Sequence, residues 1–178
     1  KGGVGKTTTV INLASVLSRK GLKTLIIDTD PQGNVSTYLN QNKTSELTTS
    51  TTQILEGESN IEPIKVFENL YLIPSDVDIK KHNSEKIVGG SKLRKIRQNE
   101  TIKTFDIVFI DTPPTMSSLV QEALSTSDYY FIPSKPEFLA VEGVGQAMSF
   151  AKQTISEVPH TDPHFLGVVL NQVDTRRA

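Results

Sequence analysis

The chain opens on Lys1-Gly2-Gly3-Val4-Gly5-Lys6-Thr7-Thr8, and no other stretch constrains its fold as strongly. Glycines at positions 2, 3 and 5 let the backbone curl until successive N–H groups converge on one point. A lysine and a threonine follow at once. That is the pair with which a G-x-x-x-x-G-K-[ST] phosphate loop reaches the β- and γ-phosphates and ligates Mg²⁺. Such a loop joins a buried strand to a helix N-terminus, whose dipole adds positive potential at the anion. Gly2, Gly3, Val4, Gly5, Lys6 and Thr7 are therefore candidate phosphate contacts. The strand expected before the loop and the motif's first glycine both precede Lys1, so residues 1–178 read as a fragment.

Downstream, apolar runs and helical stripes alternate. Val10, Leu13, Ala14 and Leu17 predict one face of a helix that stops near Gly21. Leu25-Ile26-Ile27 is a short buried strand ending at Asp28, and Pro31 and Gly33 follow in a loop. Residues 44–52, rich in Thr and Ser, lead into a short helix around Gln53–Leu55. Strands are expected at Leu70–Ile73, Ile107–Ile110, Tyr129–Ile132 (stopped by Pro133) and Phe165–Leu170. Helices are expected from Leu93, around Leu119–Leu124, and along the stripe Val144, Met148, Ala151, Ile155 and Val158. This alternation predicts an α/β fold, a mostly parallel central sheet with helices on both faces. Residues 1–178 are expected to form a single domain, a fragment lacking the first strand and the C-terminal part.

Composition excludes several classes. With no Cys, disulfide scaffolds, thiolate zinc sites and iron–sulfur clusters are ruled out. No apolar run approaches the roughly 20 residues that span a bilayer. The net charge of −1 argues for no polyanionic partner in bulk, but the charge is unevenly placed. Residues 80–103 carry Lys80, Lys81, Lys86, Lys92, Arg94, Lys95, Arg97 and Lys103 against only Glu85 and Glu100. Such a run is either a solvated helix face or a surface for DNA phosphates. Arg176-Arg177 is a second, weaker candidate.

Two further features point to nucleotide chemistry. Asp28 and Asp30 end one strand and Asp111 ends another. Carboxylates at strand ends beside a phosphate loop can hold Mg²⁺ and position an attacking water. Taken singly, each could merely cap the next helix or start a turn. The second feature is Lys1, inside the loop and five positions before Lys6. A lysine there folds back poorly onto phosphates covered by its own backbone, but it can reach those of a facing subunit. The alternative is a solvated side chain.

Lys-Gly-Gly-Val-Gly-Lys-Thr-Thr resembles the deviant Walker A motif of the ParA/MinD family of P-loop ATPases. Asp28-Thr29-Asp30-Pro31-Gln32-Gly33-Asn34 is similar to the D-x-D-P-Q-G-N segment of its ParA and Soj members, and Asp111-Thr112-Pro113-Pro114 resembles the family's Walker B and second switch. The segment from Pro133 through Pro136, Glu137 and Glu142-Gly143 also fits. The resemblance is weak from Lys43 to Glu100. It implies that Lys1 crosses a dimer interface to the partner's nucleotide and that Lys6 is the phosphate lysine in cis. It further implies that Thr7 is the magnesium ligand and Thr8 a phosphate contact. Asp30 would polarise the hydrolytic water, Asp28 would support the magnesium shell and Asp111 would hold Mg²⁺ through water.

Asn171-Gln172-Val173-Asp174 half-matches the N-K-x-D guanine code, which argues for GTP. Gln172 replaces the lysine of that code, and by resemblance Asn171 reads adenine, so ATP is expected. The implied activity is that of a catalytic site formed by Lys1, Lys6 and Asp30. It would be a Mg-ATP-dependent ATPase of the DNA partition type, a homodimer in the ATP state. Its implied partners are nonspecific DNA and a ParB-type centromere-binding protein, in a cytoplasmic, nucleoid-associated setting without a membrane. The rival readings are a MinD-like membrane-positioning ATPase, an ATP-dependent amide-forming ligase of related fold, and a nucleotide-gated binding protein without turnover. Asp-Pro-Gln-Gly argues against the first.

Overall fold

The computed structural model describes residues 2–39, 49–84, 87 and 90–174. The loop runs into α1 (Lys6–Arg19), which buries Val10, Ile11, Ala14 and Ser18. The buried stripe is rotated from the expected one, since Leu13 is exposed. Gly21 closes the helix by donating to Ser18 O. β1 (Thr24–Asp28) follows and is buried at every residue, as a central strand covered on both faces should be. Leu25 and Ile27 point into one core with Ile73, Ile79, Leu93, Ile102 and Leu119. Ile26 points into the opposite core with Val10, Ala14, Val35 and Leu72. One strand therefore anchors both layers through its period-2 alternation.

The chain continues through α2 (Asn34–Leu39) and α3 (Thr51–Glu56). Ser50 and Gln53 start α3 with a reciprocal capping box, a little earlier than expected; residues 44–48 of the predicted loop lie outside the described residues. β2 (Ile64–Phe67) and β3 (Leu70–Ile73) form an antiparallel hairpin. β2 was not expected. Its signal is a short alternation behind Pro63, with Ile64 and Val66 buried and Lys65 and Phe67 exposed. After 3₁₀ segments at Val77–Ser84 and Leu93–Gln98 come α4 (Glu100–Lys103), β4 (Ile107–Asp111), α5 (Ser118–Thr126), β5 (Tyr129–Ser134), α6 (Phe138–Glu157) and β6 (His164–Leu170). The helix expected from Leu93 is thus 3₁₀ turns followed by one α-turn. Of the stripe predicted along α6, Ala151 and, just past the helix end, Val158 are buried, while Val144, Met148 and Ile155 are half-buried; Thr154, outside the stripe, is buried as well.

The sheet is mostly parallel, but the described strands form two sheets. One has the order β2-β3-β1-β4 and the other is β5-β6. Between β4 and β5 runs a slot of about 790 Å³, lined by both strands and by Val120, Leu124, Ala147 and Phe150. The slot explains why Ile107–Ile110, as apolar as β1, are only half-buried. It also explains Pro133, which was expected to stop β5. β5 runs on to Ser134, with Pro133 in register with Val169. Among the described strands β5 pairs only with β6, so on its other edge the missing N–H breaks no ladder bond here.

Candidate functional site

The site is assembled where the loop meets the carboxyl ends of β1 and β4. Gly5 sits at φ 89°, and a Cβ there would lie 2.0 Å from Asn171 Nδ2, so only glycine fits. Gly5 O accepts from the Thr9 amide (2.8 Å) and the Thr9 hydroxyl (2.7 Å), locking the first turn of α1. β1 and β4 are parallel with Asp28 beside Asp111, so in-register pairing brings two carboxylates from distant sequence to one level. Thr29 fixes the pair by donating to Asp111 O from both its amide (3.0 Å) and its hydroxyl (2.6 Å).

Thr7 Oγ1 donates to Asp111 Oδ2 at 2.7 Å. Asp111 Oδ1 is buried with no hydrogen-bond partner among the described residues. Burial pushes the Asp111 carboxyl up to about 6; the Thr7 hydrogen bond opposes this, the Asp28 charge adds to it and Lys6 opposes it. Burial also lowers the Lys6 pKa, against the pull of Asp111 and Asp30. An orphaned carboxylate oxygen beside a hydroxyl is a hard-oxygen donor set that suits Mg²⁺. Asp28 is placed differently. Its Oδ1 accepts from the Asp30 amide (3.0 Å) and its Oδ2 from the Ser36 amide (3.1 Å) and hydroxyl (2.8 Å). Burial raises its pKa, and these hydrogen bonds counter that. No three His, Asp or Glu side chains form a ready metal cluster among the described residues.

The Asp111 environment has a consequence for the metal-free protein. Its folded pKa of about 6 lies above the unfolded value of 3.8. The folded state therefore holds a proton more tightly, and this contribution is complete below pH 4 and lost as pH rises through 6. A two-unit shift corresponds to roughly 3 kcal/mol at most. Asp111→Asn is expected to flatten this decline in metal-free chemical denaturation at pH 4.5 and 6.5; an unchanged slope would remove Asp111 as its source.

Of the residues the sequence predicted for a site, the fold brings Gly2, Gly3, Val4, Gly5, Lys6, Thr7, Asp28, Asp30 and Asp111 to one end of the sheet. Thr8 is exposed at the start of α1, and its carbonyl accepts from Asn12 at 2.8 Å. Lys1 lies outside the described residues, as do Lys86, Arg176 and Arg177. Ser36 and Thr29 were missed. Their signal is a hydroxyl beside the Asp-x-Asp segment, too common a feature to stand out. Asn171 was expected at the base; its Nδ2 donates to Val4 O (3.2 Å) on the loop itself.

Two arginines of the basic segment turn back onto α5, while its described lysines are exposed. Arg94 donates to Ser125 O (2.9 Å) and to His160 O, while Arg97 donates to Thr126 O (2.9 Å) and pairs with Asp128 (2.6 Å). Both guanidiniums thus satisfy carbonyls at the C-terminal end of α5 and complement its dipole. Buried Glu122 accepts from the Ser91 hydroxyl (2.5 Å) and the Leu93 amide (2.9 Å), pinning the segment to α5 from the other side. Lys81 pairs with Glu56, and Lys103 with Glu100 at 2.7 Å. Lys80 and Lys95 are exposed. Arg94 and Arg97 therefore tie the segment to α5.

Comparison with known proteins agrees with this geometry. A family model described as an AAA domain matches residues 1–162. The chromosome partitioning protein ParA of Caulobacter vibrioides is 36% identical over all of the chain, which spans 68% of that protein. The sporulation initiation inhibitor protein Soj of Bacillus subtilis is 33% identical over 99% of the chain and 71% of its own length. A cobyrinic acid a,c-diamide synthase from Mycobacterium smegmatis, solved with ADP and magnesium, superposes with TM-score 0.86 at 28% identity, covering 99% of this chain and 72% of that one. A plasmid partition protein from Borrelia burgdorferi gives 0.80 at 27% identity, covering 100% and 78%. No described helix is long and apolar enough to cross a membrane. A phosphate loop over two in-register strand-end aspartates, with these relatives along the whole chain, leads to one conclusion: the chain belongs to the ParA/Soj family of P-loop ATPases, within the AAA domain family.

Proposed function

We propose that the chain is the core of a dimerising, Mg-ATP-dependent ATPase of the DNA partition type, with the opening octapeptide as a deviant Walker A motif. The observation that carries this reading is the Thr7–Asp111 hydrogen bond of 2.7 Å beneath the loop, with Lys6 beside the same carboxylate. The loop N–H groups and the N-terminus of α1 receive the phosphates, and Lys6 neutralises them. Thr7 and Asp111 would hold Mg²⁺, and Asp28, with both oxygens engaged, supports that shell from behind. Magnesium, when bound, offsets the charge that builds on the phosphate oxygens. Asp30 orients the attacking water at the γ-phosphate.

Lys1 of each subunit reaches the partner's phosphates, so closure depends on the γ-phosphate. Buried phosphate charge requires cationic partners, and losing the γ-phosphate loosens the clamp. The nucleotide-bound dimer binds nonspecific DNA and a ParB-type protein that stimulates turnover. The slot between β4 and β5 supports reading residues 1–178 as one domain completed by a further strand, because two open strand edges face it.

The test uses the full-length protein and a non-hydrolysable ATP analogue in analytical ultracentrifugation, with DNA binding followed in parallel. Wild type is expected to pair and bind DNA. Lys1→Ala is expected to bind nucleotide and stay monomeric. A monomeric wild type at saturating analogue would overturn the dimer reading.

A second reading, ATP-dependent amide formation, is favoured by the similarity to the diamide synthase. In that case phosphate release would require an added carboxylic acid and an amine donor. Turnover in their absence, stimulated by DNA and the ParB-type partner, would dismiss it.

A further inference from the structure

A phosphate loop binds its anion only if consecutive peptide planes are turned with their N–H groups inward. In a trans peptide the carbonyl points opposite to the N–H. Whatever holds the carbonyls on the outside of the loop therefore aims the N–H groups on the inside. In this chain two consecutive carbonyls are held that way by side chains 167 and 169 residues away. Asn171 Nδ2 donates to Val4 O at 3.2 Å, and Gln172 Nε2 donates to Gly3 O at 3.3 Å. The peptide units so gripped carry the amides of Val4 and Gly5.

The grip is rooted in the sheet. The Asn171 amide donates to Ser134 O at 2.8 Å, tying the end of β6 to the end of β5. Asn171 also packs so close to Gly5 that a Cβ there would meet its Nδ2 at 2.0 Å. Gln172 adopts φ 59°, a left-handed conformation unusual for a residue with a side chain. Its position is exposed, so packing in the core does not explain that backbone.

We infer that Gln172 is a positioning residue for the nucleotide: with Asn171 it braces the phosphate loop from the end of β6 and keeps the Val4 and Gly5 N–H groups aimed at the phosphates. The inference rests on the proposed ATP site. It gives the glutamine at the second position of the Asn-Gln-Val-Asp segment a role at the phosphate end of the nucleotide, distinct from reading the base.

The experiment compares full-length wild type with Gln172→Met, which keeps the length but removes the donor, and Gln172→Lys, which restores one. Net values of about 0.5–1.5 kcal/mol for a hydrogen bond correspond to a change of about twofold to tenfold. Gln172→Met is expected to raise the KM for Mg-ATP by about that factor, with kcat within about twofold and the thermal midpoint of the nucleotide-free protein unchanged. Gln172→Lys is expected to restore KM. In nucleotide-free NMR spectra, the Val4 and Gly5 amide resonances are expected to move in Gln172→Met.

Unmoved amide resonances would overturn the brace whether or not wild type binds ATP. An unchanged KM, or a fall in thermal midpoint that lysine does not rescue, would also overturn it. Failure of wild type itself to bind ATP would instead overturn the proposed function, and the resonances would still decide the brace.

Discussion

Lys6→Ala is expected to reduce the affinity for Mg-ATP by about 30-fold to several thousandfold. The range follows from the roughly 2–5 kcal/mol lost when one partner of a buried, hydrogen-bonded charge pair is truncated. Lys6 sits where burial disfavours its charge and only Asp111 and Asp30 sustain it. Without the ammonium, triphosphate would enter a site holding Asp28, Asp30 and Asp111, all at most 5% exposed. The backbone of the loop would remain, because its turn is set by glycines and by the Thr9 contacts to Gly5 O. Equilibrium titration with a fluorescent ATP analogue reads the effect. Binding within about threefold of wild type would mean that Lys6 does not contact the phosphates.

Asp30→Ala is expected to lower kcat by about 10²–10⁴-fold, the contribution of a positioned acid–base group, while nucleotide binding and pairing persist. The Asp-Pro-Gln-Gly turn presents this carboxylate. The Asp30 amide donates to Asp28, Asp30 Oδ1 accepts from the Gln32 amide at 2.9 Å, and the Gly33 amide donates to Asp30 O at 2.8 Å. Because one oxygen also serves the turn, Asp30→Asn is the sharper variant. It keeps an acceptor for Gln32 and removes the charge. Single-turnover phosphate release beside analogue binding separates the two roles. Full turnover by Asp30→Asn would assign the residue to the turn alone.

How far the site was legible before the fold was known depended on how local each signal was. The loop, α1 and the strand-end aspartates are contiguous words, each with its chemistry inside a few residues. β1 could be read as a central strand because continuous apolarity is what two covered faces demand. β2 was missed because four residues of alternation behind a proline compete poorly with a loop reading. The helix expected at Leu93 became 3₁₀ turns. Its start is held by Glu122 and Ser91, side chains that pair across 31 residues.

The basic segment teaches the same lesson in charge. Eight cations in one stretch resemble a DNA surface. Yet Arg94 and Arg97 reach the last carbonyls of α5, about 30 residues on. Helix C-terminal carbonyls need donors, but which donor arrives depends on what packs there.

The order of residues alone determined that a glycine-curled loop would lead into a lysine and a threonine at a helix start, and that carboxylates would stand at the ends of two buried strands. These are properties of neighbours in sequence, fixed by steric freedom and by side-chain period. Tertiary structure alone decided that Asp28 and Asp111 stand side by side in register, that two arginines cap a helix, and that Asn171 and Gln172 grip the loop at the other end of the chain. Each of those contacts joins residues between 29 and 169 positions apart. Such partners are chosen by how layers pack, and neither helical nor strand periodicity carries that information.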